Sequence, residues 1–182
     1  PNLLLITAVD SPSIVDDDGN SLVLESTITA DAIEYIDLLR DWDTRSSVDS
    51  VETSLAVYWA ENLMDNVRAD ANAQNINIYE YMINNATPDQ LLGALTDAAE
   101  TLTQNFVSWQ VPWGEINRYQ RITGDLVQDF NDDEPSIPVG FNSGRWGALS
   151  SFGARTYPGT RRMYGTSGNS FVAVVEFGNP LR

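Results

Sequence analysis

The sequence has no histidine and no cysteine, and because all ten of its cations are arginine it has no lysine either. Each absence removes a chemistry. Without cysteine there is no disulfide framework, no thiolate nucleophile and no zinc ribbon. Without histidine a Ser-His-Asp base and the usual zinc and iron sites are excluded. Without lysine, Schiff-base catalysis and a lysine general base go too. Carboxylates, hydroxyls, tyrosine and arginine remain, so a complete active site inside this chain would have to be a carboxylate pair or a carboxylate-held metal. Long apolar runs are also missing: nothing approaches the roughly 18 residues of a membrane span. Pro1 to Val9 has neither a basic stretch nor a cleavage site, so a signal peptide, if one exists, is expected in a longer precursor.

What is present is acid. The 182 residues carry 26 Asp and Glu for a net charge of −16, unevenly spread: Pro1 to Asn117 hold 20 acids against three Arg, and Arg118 to Arg182 six against seven. A field of that sign repels phosphate backbones and anionic headgroups, so neither nucleic acid nor a membrane is an expected partner. With 42% apolar residues the chain is long enough to bury a core.

Along the chain the hydrophobic period changes. Leu3–Val9 and Ser21–Leu24 are expected strands, the second following the turn Asp16-Asp17-Asp18-Gly19-Asn20. From Thr29 the spacing becomes helical: Ala32, Ile36, Leu39 and Trp42 form one stripe, and Val51, Leu55, Trp59, Leu63 and Val67 a second. Ile76–Ala86 is a short third helix. Thr87-Pro88-Asp89-Gln90 combines a Thr cap, Pro at the first helical position and Gln at the third, which predicts a capping box and a helix from Pro88 to Phe106 with Leu91, Leu95, Ala98, Leu102 and Phe106 on its buried face. Gly, Pro and aromatic residues dominate after Ser108. Asn131–Pro138 is expected as a loop, and Arg161–Thr166 with Ser170–Phe177 as a hairpin turning at Ser167-Gly168-Asn169. The whole reads as α+β: strands and a turn over about 1–28, a helical part over 29–107, and antiparallel β strands over 108–182.

Several clusters invite a functional reading. Asp16-Asp17-Asp18-Gly19-Asn20 has the carboxylate density of a calcium loop, but Ser21 and Thr27 stand where an EF-hand needs Gly and a bidentate Glu, so an acidic turn is the reading and no metal site is assigned. Asp41, Asp43, Asp49 and Glu52 around Trp42 suggest a paired-carboxylate site with an aromatic platform; the plainer reading has Trp42 closing its helix stripe and the acids covering the next helix start. Trp59, Trp109, Trp113 and Trp146 are expected in the core or in contacts rather than stacked on ligand. Arg118, Arg121, Arg145, Arg155, Arg161 and Arg162 are expected to pair with the chain's own acids. In Ser170–Phe177 the period of two sets Glu176 beside Val172 and Val174, a carboxylate in a strand apolar on both faces, which needs a partner or a task.

Three segments, in order, resemble the β subunit of the penicillin acylase (penicillin amidase) family, especially its acyl-homoserine-lactone acylase branch: Leu38-Leu39-Arg40-Asp41-Trp42-Asp43 with Asp49-Ser50, Val111-Pro112-Trp113-Gly114-Glu115-Ile116-Asn117-Arg118, and Gly168–Gly178. The resemblance implies an N-terminal nucleophile (Ntn) hydrolase of αββα fold, in which a precursor cuts itself and the freed Ser attacks an amide with its own α-amino group as base. It implies N-acyl substrates such as acyl-homoserine lactones or β-lactam side chains, no cofactor, and a periplasmic or secreted setting. Pro1 has no hydroxyl, the family's oxyanion-hole Asn and its neighbouring Arg lie upstream of the Leu38–Asp43 segment, and the chain stops before the family's closing segment. The expectation is therefore a fragment of the β subunit, inactive alone, whose partners are the α subunit and the upstream β subunit. From the cephalosporin-acylase branch, Glu176 is the carried-over site residue, a carboxylate orienting a His near the nucleophile. The composition also admits a free-standing acidic binding domain, taking calcium or carbohydrate.

Overall fold

The computed structural model describes residues 13–15, 21–23, 30–148 and 151–169. They form two compact units, one comprising Pro1–Arg45 and Ser50–Pro112, the other Ser46–Asp49 and Trp113–Arg182.

The first unit is helical after a two-stranded antiparallel ladder, β1 (Ser13–Val15) with β2 (Ser21–Val23), which registers Ile14 against Leu22. The expected strand at Ser21 is present, but its partner is Ser13–Val15, which the sequence did not mark. Leu3–Val9, the Asp16–Asn20 turn and the Thr29 cap lie outside the described residues. Helix α1 (Ala30–Arg40) buries Ala32, Ile36 and Leu39. Trp42 falls beyond the helix end and is only half-buried; it does not extend the stripe but donates its Nε1–H to the Arg45 carbonyl at 3.1 Å across the turn.

Helix α2 (Val51–Ala73) starts where Ser50 accepts the Thr53 N–H at 3.0 Å, one of the amides no helix can satisfy internally. It buries Leu55, Trp59, Leu63 and Val67 as the period demands and runs on to Ala73 through the polar stretch, because Ala71 continues the buried stripe. Helix α3 (Ile78–Asn84) has Asn77 as its cap. Helix α4 has the expected bounds, Pro88–Phe106, and both hydrogen bonds of its capping box are formed. Leu91, Leu95, Ala98 and Leu102 are buried on its inner face, packed chiefly on α2. Between those two helices the buried Trp59 indole donates to the Leu91 carbonyl at 3.0 Å. No described helix is long and apolar enough to cross a membrane.

The second unit holds a one-turn helix α5 (Trp113–Ile116) and strands β3 (Asn117–Tyr119), β4 (Ile137–Pro138), β5 (Phe152–Arg155) and β6 (Met163–Gly168), in sheet order β4-β3-β6-β5. The chain is thus α+β, helices first. The sheet corrects the expectation of antiparallel strands: β3 runs parallel to β6, with Asn117 opposite Met163, while the other two pairings of the sheet are antiparallel. The long excursion between β3 and β6 supplies the crossover that a parallel pair needs. A second correction concerns Ser167 and Gly168. They do not form a turn but pair with Gly153 and Phe152, so β6 makes its antiparallel contact with β5. Gly165 allows it, since a Cβ there would fall 1.8 Å from the Phe152 ring. Ser170–Phe177, the other half of the expected hairpin, lies outside the described residues.

Candidate functional site

The densest polar arrangement is built on Trp113–Gln120. Gly114 donates its N–H to the Val48 carbonyl at 2.8 Å, and a Cβ at this position would sit 2.9 Å from both the Val48 Cβ and that carbonyl oxygen. Only glycine permits so close an approach of two backbones. Four side chains of this stretch reach the segment 131–141. Trp113 Nε1 donates to the Phe141 carbonyl at 3.1 Å, and Asn117 Nδ2 to the carbonyls of Val139 and Phe141, both at 2.8 Å. Arg118 donates to Ser136 Oγ and O at 2.9 and 2.7 Å and to the Gly114 carbonyl at 2.8 Å. Gln120 takes the Asn131 N–H at 2.9 Å and donates to the Asn131 and Glu134 carbonyls at 2.7 and 3.1 Å. Asn117 and Gln120 are buried, and these bonds satisfy their side-chain amides.

A second layer fixes the other end of that segment. The Asp132 side chain, 10% exposed, accepts the N–H groups of Arg161 and Arg162 at 2.8 and 3.4 Å and the Tyr164 hydroxyl at 2.9 Å. Its backbone carbonyl takes Arg162 Nη1 at 2.7 Å. Burial pushes the Asp132 carboxyl up, but the hydrogen bonds from Arg161, Tyr164 and Arg162 outweigh it and hold the group below its ordinary value. The fully buried Tyr164 moves the other way: burial, then the hydrogen bond to Asp132 and its charge, raise the phenol. Phe130 stacks on the Tyr164 ring at 4.9 Å and 11°. Glu115 links the layers, 3.9 Å from Arg118 and 3.7 Å from Arg162.

The chemical content of this arrangement is structural. Its donors point at the protein's own carbonyls and its carboxylate is held in the charged form, which suits an anchor and not a proton-transfer group. Elsewhere, Ser50 Oγ meets Glu52 Oε2 at 2.9 Å, but the same oxygen accepts the Thr53 N–H and hydroxyl as the cap of α2. No group of His, Cys, Asp or Glu among the described residues could hold a metal ion.

The family model described as penicillin amidase matches residues 6–182. The chain belongs to the penicillin amidase family. A comparison with curated proteins finds no match. Membership of the penicillin amidase family implies a hydrolase parent, and two of the three resembling segments fall within described structure. In this family member Leu38–Asp43 closes α1, and Trp113–Arg118 forms the clamp.

The candidates that the sequence singled out fare unevenly, and the structure separates them physically. Asp41, Asp43 and Asp49 are exposed, and Asp43 accepts the Arg45 N–H at 2.9 Å and lies 4.0 Å from the Arg45 guanidinium. Trp59 and Trp113 are buried core residues, so neither is a ligand platform; Trp109 lies edge-on to Tyr35 at 4.9 Å. Arg118, Arg161 and Arg162 find Glu115 and Asp132 inside their own unit. Glu176 and Phe171 lie outside the described residues. Asn117, Gln120 and Asp132 were not singled out from the sequence. Asn117 was marked only as part of the resembling segment Val111–Arg118, Gln120 only as an amide just beyond it, and Asp132 stands in what reads as an ordinary polar loop.

Proposed function

We propose that this chain is a structural portion of the β subunit of an Ntn-type amidohydrolase of αββα fold, one that cleaves the amide bond of N-acyl substrates such as acyl-homoserine lactones. The family membership carries this reading. It is supported by the Trp113–Gln120 clamp, whose polar groups are committed to the protein's own backbone, and by a composition without His, Cys or Lys. In this reading the nucleophilic Ser and its α-amino base come from polypeptide other than this chain, the partners are the α subunit and the remaining β subunit, and the setting is periplasmic or secreted. Glu176 is the candidate orienting carboxylate, holding the tautomer of a His donated by another segment.

The test is hydrolysis of an N-acyl-homoserine lactone, followed by release of the free amine. The 182-residue chain alone is expected to match buffer, because its hydroxyls have no activated base, and to support turnover only together with a polypeptide carrying an N-terminal Ser. Activity of the chain alone that survives repurification would sink the proposal. In the assembled enzyme, Glu176→Gln is expected to lower turnover by about tenfold with little change in stability; unchanged kinetics would remove Glu176 from the site.

A further inference from the structure

We propose that the helical unit is a salt-dependent fold, stabilised by diffuse cations that screen its carboxylates, whereas the clamped β unit is largely indifferent to ionic strength.

The charge is concentrated in one unit. The segments Pro1–Arg45 and Ser50–Pro112 contain 18 acids and three Arg, and the other unit eight acids and seven Arg. On α1 the acids Asp31, Glu34 and Asp37 repeat every three residues, all exposed, so they stand one above the other on a single face. Glu61 and Asp65 on α2 and Asp97 and Glu100 on α4 are further like-charge neighbours at helical spacing. Helix α4 has no basic residue at all, and none of α2, α3 and α4 has one in its last turn, where a cation would offset the helix dipole.

Helix α1 packs on α4. The Tyr35 hydroxyl is raised by burial and then by the charges of Asp31, Glu34 and Glu100, so carboxylates of both helices act on one group in a shared field. Cations are few: the unit's three Arg pair with acids close in sequence, Arg40 with Asp37, Arg45 with Asp43 and Arg68 with Asp65, against 18 acids in all. Among the described residues no carboxylates are grouped closely enough to chelate an ion. Relief must then come from the ion atmosphere, whose screening length falls from about 30 Å at 0.01 M salt to about 3 Å at 1 M, less than the roughly 5–6 Å between such neighbours. In the β unit eight acids stand against seven Arg, and the Asp132 side chain, 10% exposed, and Arg118, 12% exposed, are tied to backbone groups while their ion-pair partners Arg161 and Glu115 stay exposed. A nearly balanced set of charges has little net repulsion for salt to screen.

Amide hydrogen exchange of the 182-residue chain, read by mass spectrometry at constant pH in about 0.01 M and about 1 M NaCl, tests this. Protection in α1 and α4 is expected to rise about tenfold or more with salt, and protection in β6 by less than about threefold. The variant Asp31→Asn/Glu34→Gln/Glu100→Gln removes the shared field and leaves the buried apolar faces intact. It should raise helix protection at about 0.01 M and lose at least about half of the salt response. Equal salt responses in helices and β6, or a variant that keeps the wild-type response, would overturn the proposal.

Discussion

The two units solve the same problem with opposite materials. In the helical unit the buried residues are overwhelmingly apolar, from Ile36 and Leu55 to Leu95 and Leu102, and polar groups work at helix ends. In the β unit the described buried side chains are evenly divided: Trp113, Ile116 and Tyr164 against Asn117, Gln120 and Asn142. Strands of two to six residues cannot build an apolar layer of any extent, so the unit is held by side chains bonded to the backbone of its own loops. The lesson is that the penicillin amidase motif around Trp113 and Asn117 is, in this chain, a folding device.

An apolar core of this kind should fail when volume is removed from it. Trp59 is fully buried and also donates to the Leu91 carbonyl. Trp59→Ala is expected to cost about 4 kcal/mol, combining a large cavity with the lost indole hydrogen bond. Denaturant unfolding measures it, and a loss below about 1 kcal/mol would show that the helical core does not rest on this contact.

In the β unit a polar deletion should cost almost as much. Asn117→Ala empties a buried position and removes two 2.8 Å hydrogen bonds, leaving the Val139 carbonyl without this donor and the Phe141 carbonyl with Trp113 Nε1 alone, for an expected loss of about 2–3 kcal/mol. The matching deletion in the helical unit, Asn62→Ala, removes a 3.5 Å contact and should be close to neutral. If the two variants prove equal, the contrast between the units is wrong.

Asp132 sharpens the same contrast through pH. Its folded pKa is lowered, so the stability it contributes is fully present above the ordinary value of 3.8 and is lost as pH falls through the lowered folded value. Asp132→Asn should cost about 1.5 kcal/mol at neutral pH. The gap to the wild type should narrow in strong acid, where the wild-type carboxyl is neutral as well. Denaturation midpoints collected from about pH 7 downward test this; a gap that stays constant would mean that the charge contributes nothing.

These differences explain what could be read from the sequence. Helix α4 was legible because capping, propensity and apolar period are local signals that agree at Thr87, Pro88 and Leu91. The sheet was not. Its order depends on β3 meeting β6 across the chain, and short strands such as Asn117–Tyr119 carry too few residues to show a period of two. The clamp was hidden for a related reason, because Gln120 holding Asn131 and Asp132 holding Arg161 are tertiary pairings between unremarkable polar residues. Trp113 was visible as part of a family motif, but the sequence offered no means of telling a structural indole from one that binds ligand.

The smallest expected effect lies where the helical unit departs from its own rules. Helix α4 ends at Val107, which has φ of 72° and ψ of −19°, left-handed values that crowd a β-branched side chain. Glycine is the usual residue at such a position. The Val107 N–H makes the closing bond to the Thr103 carbonyl at 2.9 Å, and this bond survives any substitution that keeps the amide. Because the side chain is 89% exposed, removing it gives up almost no packing. Val107→Gly therefore relieves backbone strain and loses some stability through a freer unfolded chain; the net is an expected gain of about 1 kcal/mol. Val107→Ala, which keeps a Cβ in the same left-handed conformation, should gain less. Thermal melts of both variants decide it: a higher Tm for glycine, with alanine between it and wild type, confirms a strained cap. A lower Tm for glycine would mean that Val107 is covered in solution, placing an apolar contact at the C-terminal end of α4.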